Sequence, residues 1–291
     1  MLIGRRGLDS VESMKLAIST LCCPAWDLQQ IAEAAVQSGI EGIDFRGIGT
    51  EIDITALPQF GADFDTTLRL LRERKISLPC FNTSVTLLSP SPQRWDAMLD
   101  EARRYATLAG RTETAFLRVF GGRTPQELTG EQARMMAQRH LRQVVKICKP
   151  HGCIPLLETH DDWTTSARVL ELIHEFEPAD VGVIWDLEHP WRAGESPAAT
   201  AVGLRRFIRH VHIKDTTYPD GKRRGMLLGH GLVPLKECAA ALAEIGYQAW
   251  YCLETEKRWD SAAPEPGESL PQFAEFMREK WTKWGTCRRH Q

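Results

Sequence analysis

Residues 153–163 read CIPLLETHDDW. Three later stretches share that design: VGVIWDLEHPW at 181–191, RHVHIKD at 209–215 and AWYCLETEKRW at 249–259. Each is a short run, largely apolar on both alternating faces, that ends in a knot of charged side chains. A parallel strand reads this way when helices cover one face and a core fills the other. Toward the N-terminus, four similar runs begin at Lys15 (KLAIST), Gly42 (GIDFRG), Ser77 (SLPCFNTS) and Ala115 (AFLRVFGG).

Segments of helical period lie between these runs. Leu28 to Val36 stops at Ser38-Gly39, a C-terminal cap signal. Trp95 to Ala109 stops at Gly110, Glu131 to Lys149 at Pro150, and Leu235 to Ile245 at Gly246. Thr164 or Thr165 offers a cap for the helix after strand five, and Ser196-Pro197 opens the one after strand six. Strand and helix thus alternate eight times. For 291 residues, this predicts a single (β/α)8 TIM barrel over 14–291, a fold whose typical length is about 250 residues. An open doubly wound sheet would carry a glycine-rich turn after its first strand. Leu21-Cys22-Cys23-Pro24 stands there instead. The segment Thr216–Pro234 reads as a loop over the barrel mouth. Residues 1–13, MLIGRRGLDSVES, read as a disordered or extended polar segment without a hydrophobic signal core.

Composition narrows the function. The net charge of -2 argues against a nucleic-acid partner, which demands a dense positive surface. No apolar run approaches the ~20 residues that span a bilayer. The eight cysteines include no CxxC pair and read as buried reduced thiols, in keeping with a cytoplasmic protein.

In such a barrel the chemistry sits at the C-terminal ends of the strands. Strand five presents Glu158, then His160. Strand six presents Asp186, with His189 three residues on. On strand seven His210, His212 and Lys214 share a face, and strand eight presents Glu254 and then Glu256. Buried together, Glu158, Asp186, His212 and Glu254 would suffer severe desolvation unless a cation joined them. Three carboxylates and one imidazole suit Mn²⁺, Mg²⁺ or Co²⁺ better than Zn²⁺.

This quartet, with D-x-x-H at 186–189 and H-x-K-D at 212–215, resembles the xylose isomerase-like TIM barrel superfamily. Within it, the chain is most similar to the sugar phosphate isomerase/epimerase group. The likeness runs from Met14 to about Trp281 and is most specific over the last four strands. It implies that Glu158, Asp186, His212 and Glu254 bind one divalent metal and that His189 contacts substrate. The activity implied is isomerisation or epimerisation of a small carbohydrate by α-proton abstraction through a metal-stabilised enediolate. Glu158 and Glu254 would be the acid/base pair, and Lys214 would orient hydroxyls or steady the oxyanion.

Other residues are read both ways. Trp163 and Trp191 could wall a sugar face or pack in the core. His160 could donate to substrate or hydrogen-bond behind the ligands. Arg223 and Arg224 could grip a phosphate or carboxylate, or be solvated. Arg46 could reach the pocket or pair with a helix, and His210 reads as a core histidine. Two other functions remain: a dehydratase of an inosose-like cyclic polyol ketone, and a non-catalytic sugar-binding barrel. An endonuclease branch of the superfamily needs extra histidines on the early strands, and this chain has none there. Relatives are often dimers or tetramers, so a homodimer or homotetramer is compatible.

Overall fold

The computed structural model describes residues 14–89 and 91–286. The expectations for residues 1–13 and for Cys287 lie outside them. Eight parallel strands form the barrel: β1 (Lys15–Ser19), β2 (Gly42–Asp44), β3 (Cys80–Thr86), β4 (Phe116–Phe120), β5 (Ile154–Glu158), β6 (Gly182–Asp186), β7 (Ile208–Ile213) and β10 (Trp250–Leu253). The hydrogen-bonded order is β2-β1-β10-β7-β6-β5-β4-β3. Parallel bridges Gly42–Ser77 and Phe45–Phe81 bring β2 against β3 and close the ring. A short antiparallel hairpin, β8 (Asp215–Thr217) with β9 (Arg224–Met226), fills the loop after β7.

The predicted strand at Ser77 begins later, at Cys80. Pro79 has no N–H for the ladder, so residues 77–79 keep only the Ser77 bridge to β2.

Helices follow most strands: α1 (Leu28–Ser38), α2 (Phe64–Glu73), α3 (Pro92–Thr112), α4 (Gly130–Cys148), α5 (Ser166–Ile173), α6 (Glu188–Arg192), α7 (Pro197–Leu204), α8 (Leu235–Glu244) and α9 (Pro266–Phe276). The caps are largely local. Asp27 forms a capping box with Gln30, and Gly39 ends α1 at φ 68°. Ser196 caps α7 with Pro197 in its first turn. Two expectations fail. Helix α3 runs through Gly110 to Thr112 and ends instead at Glu113, whose backbone turns left-handed at φ 58°. Thr165 stands at the start of α5 without capping it. The Glu195 carboxylate, from the α6–α7 connection, accepts from the Ser166 N–H at 2.9 Å instead.

Side-chain alternation along the strands sorts the interior into two zones. The large apolar cluster lies between strands and helices, with Ile18, Phe45, Phe81, Val119, Leu157, Trp185 and Ile213 facing outward into it. A small plug of Cys80, Leu156 and Ile184 fills the barrel below the mouth. Above the plug the inward side chains are polar. The seven cysteines among the described residues are buried and unbonded. No helix among the described residues is long and apolar enough to cross a membrane.

His140 on α4 stacks on Trp95 at 3.7 Å, and its Nδ1 lies 2.6 Å from the Leu87 carbonyl. Burial holds its imidazole below the ordinary 6.5, against the hydrogen bond to Leu87. Its folded value is depressed, so the native state favours the neutral ring. Stability from this site is full above about pH 6.5 and falls as acid protonates the unfolded chain first. Urea midpoints measured from pH 7.5 to 5 are expected to decline, and less steeply in His140→Gln. Equal slopes in both proteins would remove His140 from the account.

Candidate active site

The strand ends place their polar side chains by register. Asp186 lies beside His212 across β6 and β7. On the other side His212 lies beside Cys252 of β10, two residues before Glu254. Glu158, at the tip of β5, lies beside Ile184 of β6, whose inward face leads to Asp186. Ligand-capable atoms of Glu158, Asp186, His212 and Glu254 therefore all lie within 4.8 Å of one another, and all four side chains are buried.

The charges within this cup balance closely. His212 Nδ1 is 2.8 Å from Glu158 Oε1 and 3.2 Å from Glu254 Oε2. Lys214 Nζ is 2.7 Å from Asp186 Oδ2, 3.1 Å from Glu254 Oε2 and 2.6 Å from Glu256 Oε1. Arg118, arriving from β4, sets Nη1 3.3 Å from Glu158 and 3.4 Å from Glu254. Burial and Glu254 would raise the Glu158 carboxyl, but Arg118 and His212 outweigh them and bring it down to about 2. Burial likewise opposes ionisation of Glu254, yet His212, Lys214 and Arg118 hold it well below the usual range. Asp186 is the exception, because burial raises it despite His189 and Lys214. The same carboxylates keep His212 and Lys214 well above their ordinary values against the effect of burial.

The three carboxylates of the quartet face the fixed cations Arg118 and Lys214 and the imidazole of His212. Among the described residues, Glu158 Oε2 and His212 Nε2 have no hydrogen-bond partner. Buried lone pairs without partners are costly. Three oxygen ligands with one imidazole form a donor set that hard and borderline divalent ions accept. The residues present fit such an ion.

Several residues around the quartet escaped the sequence reading. Asp44, ending β2, stands 2.6 Å from His210 Nε2 and 3.6 Å from His212 Nε2. His210 is the buried core histidine expected of its position. Arg118 was legible only as a lone arginine inside an apolar strand. Glu188, directly behind the Asp186 tip, is fully buried. It accepts from Arg223 at 3.0 Å, from the Thr216 hydroxyl at 3.1 Å and from the Tyr218 hydroxyl.

The remaining sequence candidates divide. His189 Nε2 lies 3.5 Å from Asp186 Oδ2, and its ring packs at 4.7 Å on His160. His160 in turn leans on Phe120 at 4.8 Å, with Nδ1 3.0 Å from the Asp161 carboxylate. Both histidines keep partial access to the mouth. Trp163 does not: it has no exposed surface and presses on Gly121, where a Cβ would overlap its ring. Its role is core packing. Trp191 is half-buried against the same apolar cluster. Of the two loop arginines, Arg224 is exposed, while Arg223 bridges Glu188 and Glu256 at 3.0 and 3.2 Å. Adjacent residues of a strand face opposite ways, so only one of the pair can turn inward. Arg46 reaches Ser84 at 2.9 Å.

A parallel eight-stranded barrel with acidic and imidazole groups gathered at its C-terminal mouth defines a class: TIM-barrel proteins with a metal-capable centre. Within that class, residues 32–280 match the family model described as "Xylose isomerase-like TIM barrel", and the chain belongs to that family. A 3-dehydroshikimate dehydratase from Bacillus anthracis is 23% identical over 195 residues, covering 65% of this chain and 67% of that protein. An inosose dehydratase from Bacillus thuringiensis (strain Al Hakam) is 28% identical over 131 residues, covering 40% of this chain and 43% of that protein. The crystal structure of a probable 3-DHS dehydratase from Bacillus anthracis superposes with a TM-score of 0.77 at 20% identity, covering 92% of this chain and all of that one. At that identity the superposition speaks for the fold.

Titration with Mn²⁺, Mg²⁺ or Co²⁺ is expected to raise the melting temperature of the protein. At about 100 times Kd the stabilisation should approach about 2.7 kcal/mol. Asp186→Asn should abolish the response while leaving the circular dichroism spectrum unchanged. A melting temperature indifferent to every divalent ion would count against a metal centre.

Proposed function

We propose that this chain is a divalent-metal-dependent dehydratase of a small polyhydroxylated carbonyl compound. The observation that carries the reading is the buried convergence of Glu158, Asp186, His212 and Glu254 beside two fixed cations. Those four residues would hold the ion. A bound divalent ion would polarise the substrate carbonyl and so acidify the neighbouring C–H.

The chain's own groups supply the rest. Arg118 and His212 keep Glu158 ionised, so its carboxylate is able to take the α-proton. The electron pair of the broken C–H bond then forms the C=C bond, and the β C–O bond breaks. The departing hydroxide takes a proton from His160, which Asp161 orients at the rim, and leaves as water. Lys214 stays charged and offsets the negative charge that develops on the oxygen. His189, whose ring packs at a tilt against His160, positions a substrate hydroxyl. Dehydratase activity among the curated relatives supports elimination as the net reaction.

A second reading, epimerisation or isomerisation, draws on one observation. Glu158 and Glu254 flank a single Arg118 nitrogen at 3.3 and 3.4 Å, and two carboxylates around one point could remove a proton and return it.

Proton NMR in D₂O with 3-dehydroshikimate, an inosose and a panel of ketoses separates these readings. Loss of the α-proton together with a new conjugated C=C absorbance is the expected result. Exchange of the α-proton without water loss would favour the epimerase. Glu158→Gln and Glu254→Gln should each lower turnover by about 10²–10⁴-fold with the fold retained. Near-normal turnover in either variant would sink the roles given to the glutamates.

A further inference from the structure

The His212 ring has two faces to satisfy. Its Nδ1 points at Glu158 and Glu254, and its Nε2 points away from them, toward β2. There it meets Asp44. Strands β1 and β10 stand between β2 and β7, and the Asp44 carboxylate spans both. Asp44 Oδ2 accepts from His210 Nε2 at 2.6 Å and lies 3.6 Å from His212 Nε2. The two imidazoles meet edge to face at 5.4 Å. None of the three side chains has exposed surface.

A carboxylate only accepts hydrogen bonds, so the ring proton that binds Asp44 sits on His210 Nε2. An imidazole that ligates through Nδ1 keeps its own proton on Nε2, and a fixed acceptor for that proton sets the tautomer and the ring plane. Among the described residues His212 Nε2 has no hydrogen-bond partner, and Asp44 is the anion that faces it. At 3.6 Å the pair is not yet hydrogen-bonded, which takes about 2.9 Å; a small tilt of the ring closes the gap. Withdrawing the Asp44 carboxylate from water is expensive, and packing alone would be met by an apolar side chain.

We infer that Asp44 is a positioning residue for the metal centre: held by His210, it fixes the His212 ring with Nδ1 toward the cup and Nε2–H toward β2, and so sets the affinity for the ion. The inference rests on the metal-dependent function proposed above. It adds two residues, one from β2 and one from within β7, that act through His212 rather than on the ion.

Mn²⁺ titration of the full chain by isothermal calorimetry tests it, with the visible absorption of the Co²⁺-loaded protein as a second readout. Asp44→Asn keeps the shape and loses the charge. It is expected to weaken Mn²⁺ by about 10–100-fold and to alter the Co²⁺ band at saturating metal, while the metal-free circular dichroism spectrum stays as in the wild type. His210→Leu leaves the carboxylate without its anchor and should cost about tenfold, the low end of that range. A residue that only supported packing would lower the melting temperature and leave Mn²⁺ affinity and the Co²⁺ band untouched. That outcome in Asp44→Asn would overturn the inference. Should Asp44→Asn misfold, His210→Leu decides, and unchanged Mn²⁺ affinity there overturns it. A wild type that binds neither ion would overturn the inference together with the metal centre. Affinity is read without turnover, so a protein that needs Asp44 to hold Mn²⁺ but eliminates no water would refute the proposed reaction and leave the role of Asp44 standing.

Discussion

Buried charge at the mouth of the barrel is the constraint that organises this molecule. Taking one carboxylate out of water costs several kcal/mol even after the protein relaxes, and Glu158, Asp186 and Glu254 are all withdrawn together. They are tolerated because cations arrive from other strands at contact distance: Arg118 from β4, and Lys214 just beyond β7. Compensation from so many strands makes the mouth a single electrostatic unit. Removing any one member leaves a partner buried and uncompensated, which costs more than the pair contributes.

That unit needs a rigid frame, and the outer apolar layer supplies it. Helices packed on Phe45, Phe81, Val119, Leu157, Trp185 and Ile213 fix the strands in one register. Register in turn fixes which side chains point inward, since a slip of one residue would exchange the acidic tips for the apolar set. The Cys80–Leu156–Ile184 plug closes the barrel below. The β8–β9 hairpin shields part of the mouth above. The Asp215 carboxylate ties down the turn that follows, accepting from the backbone N–H groups of Gly229, Gly231 and Val233 at 2.8–3.1 Å. A Cβ on Gly231 would collide with that carboxylate.

The mouth is also divided in function. Strands β5, β6, β7 and β10 carry the quartet at or just beyond their tips, while β2 adds Asp44 beside the histidines and β4 adds Arg118. This division follows from which strand carries which tip, and the hairpin adds the Arg223 bridge between Glu188 and Glu256.

Much of this was legible in the order of residues alone. Apolar runs with charged ends marked eight strands, and the tips at 158, 186, 212 and 254 named the quartet, because strand period and the barrel's polarity are local and general rules. The Ser196 cap was legible for the same reason: its partner, the Ala199 N–H, lies three residues away. Contacts between distant segments were not. Glu195 replaces Thr165 as the cap of α5, Arg223 rather than Arg224 turns inward, Trp163 is sealed behind Gly121, and Asp44 and Arg118 complete the mouth from strands whose sequences look merely apolar. Local chemistry sets period, punctuation and which residues end a strand; which of two neighbours faces the cup, and what compensates a buried charge, is decided only when chain segments far apart in sequence are packed into one volume that excludes water.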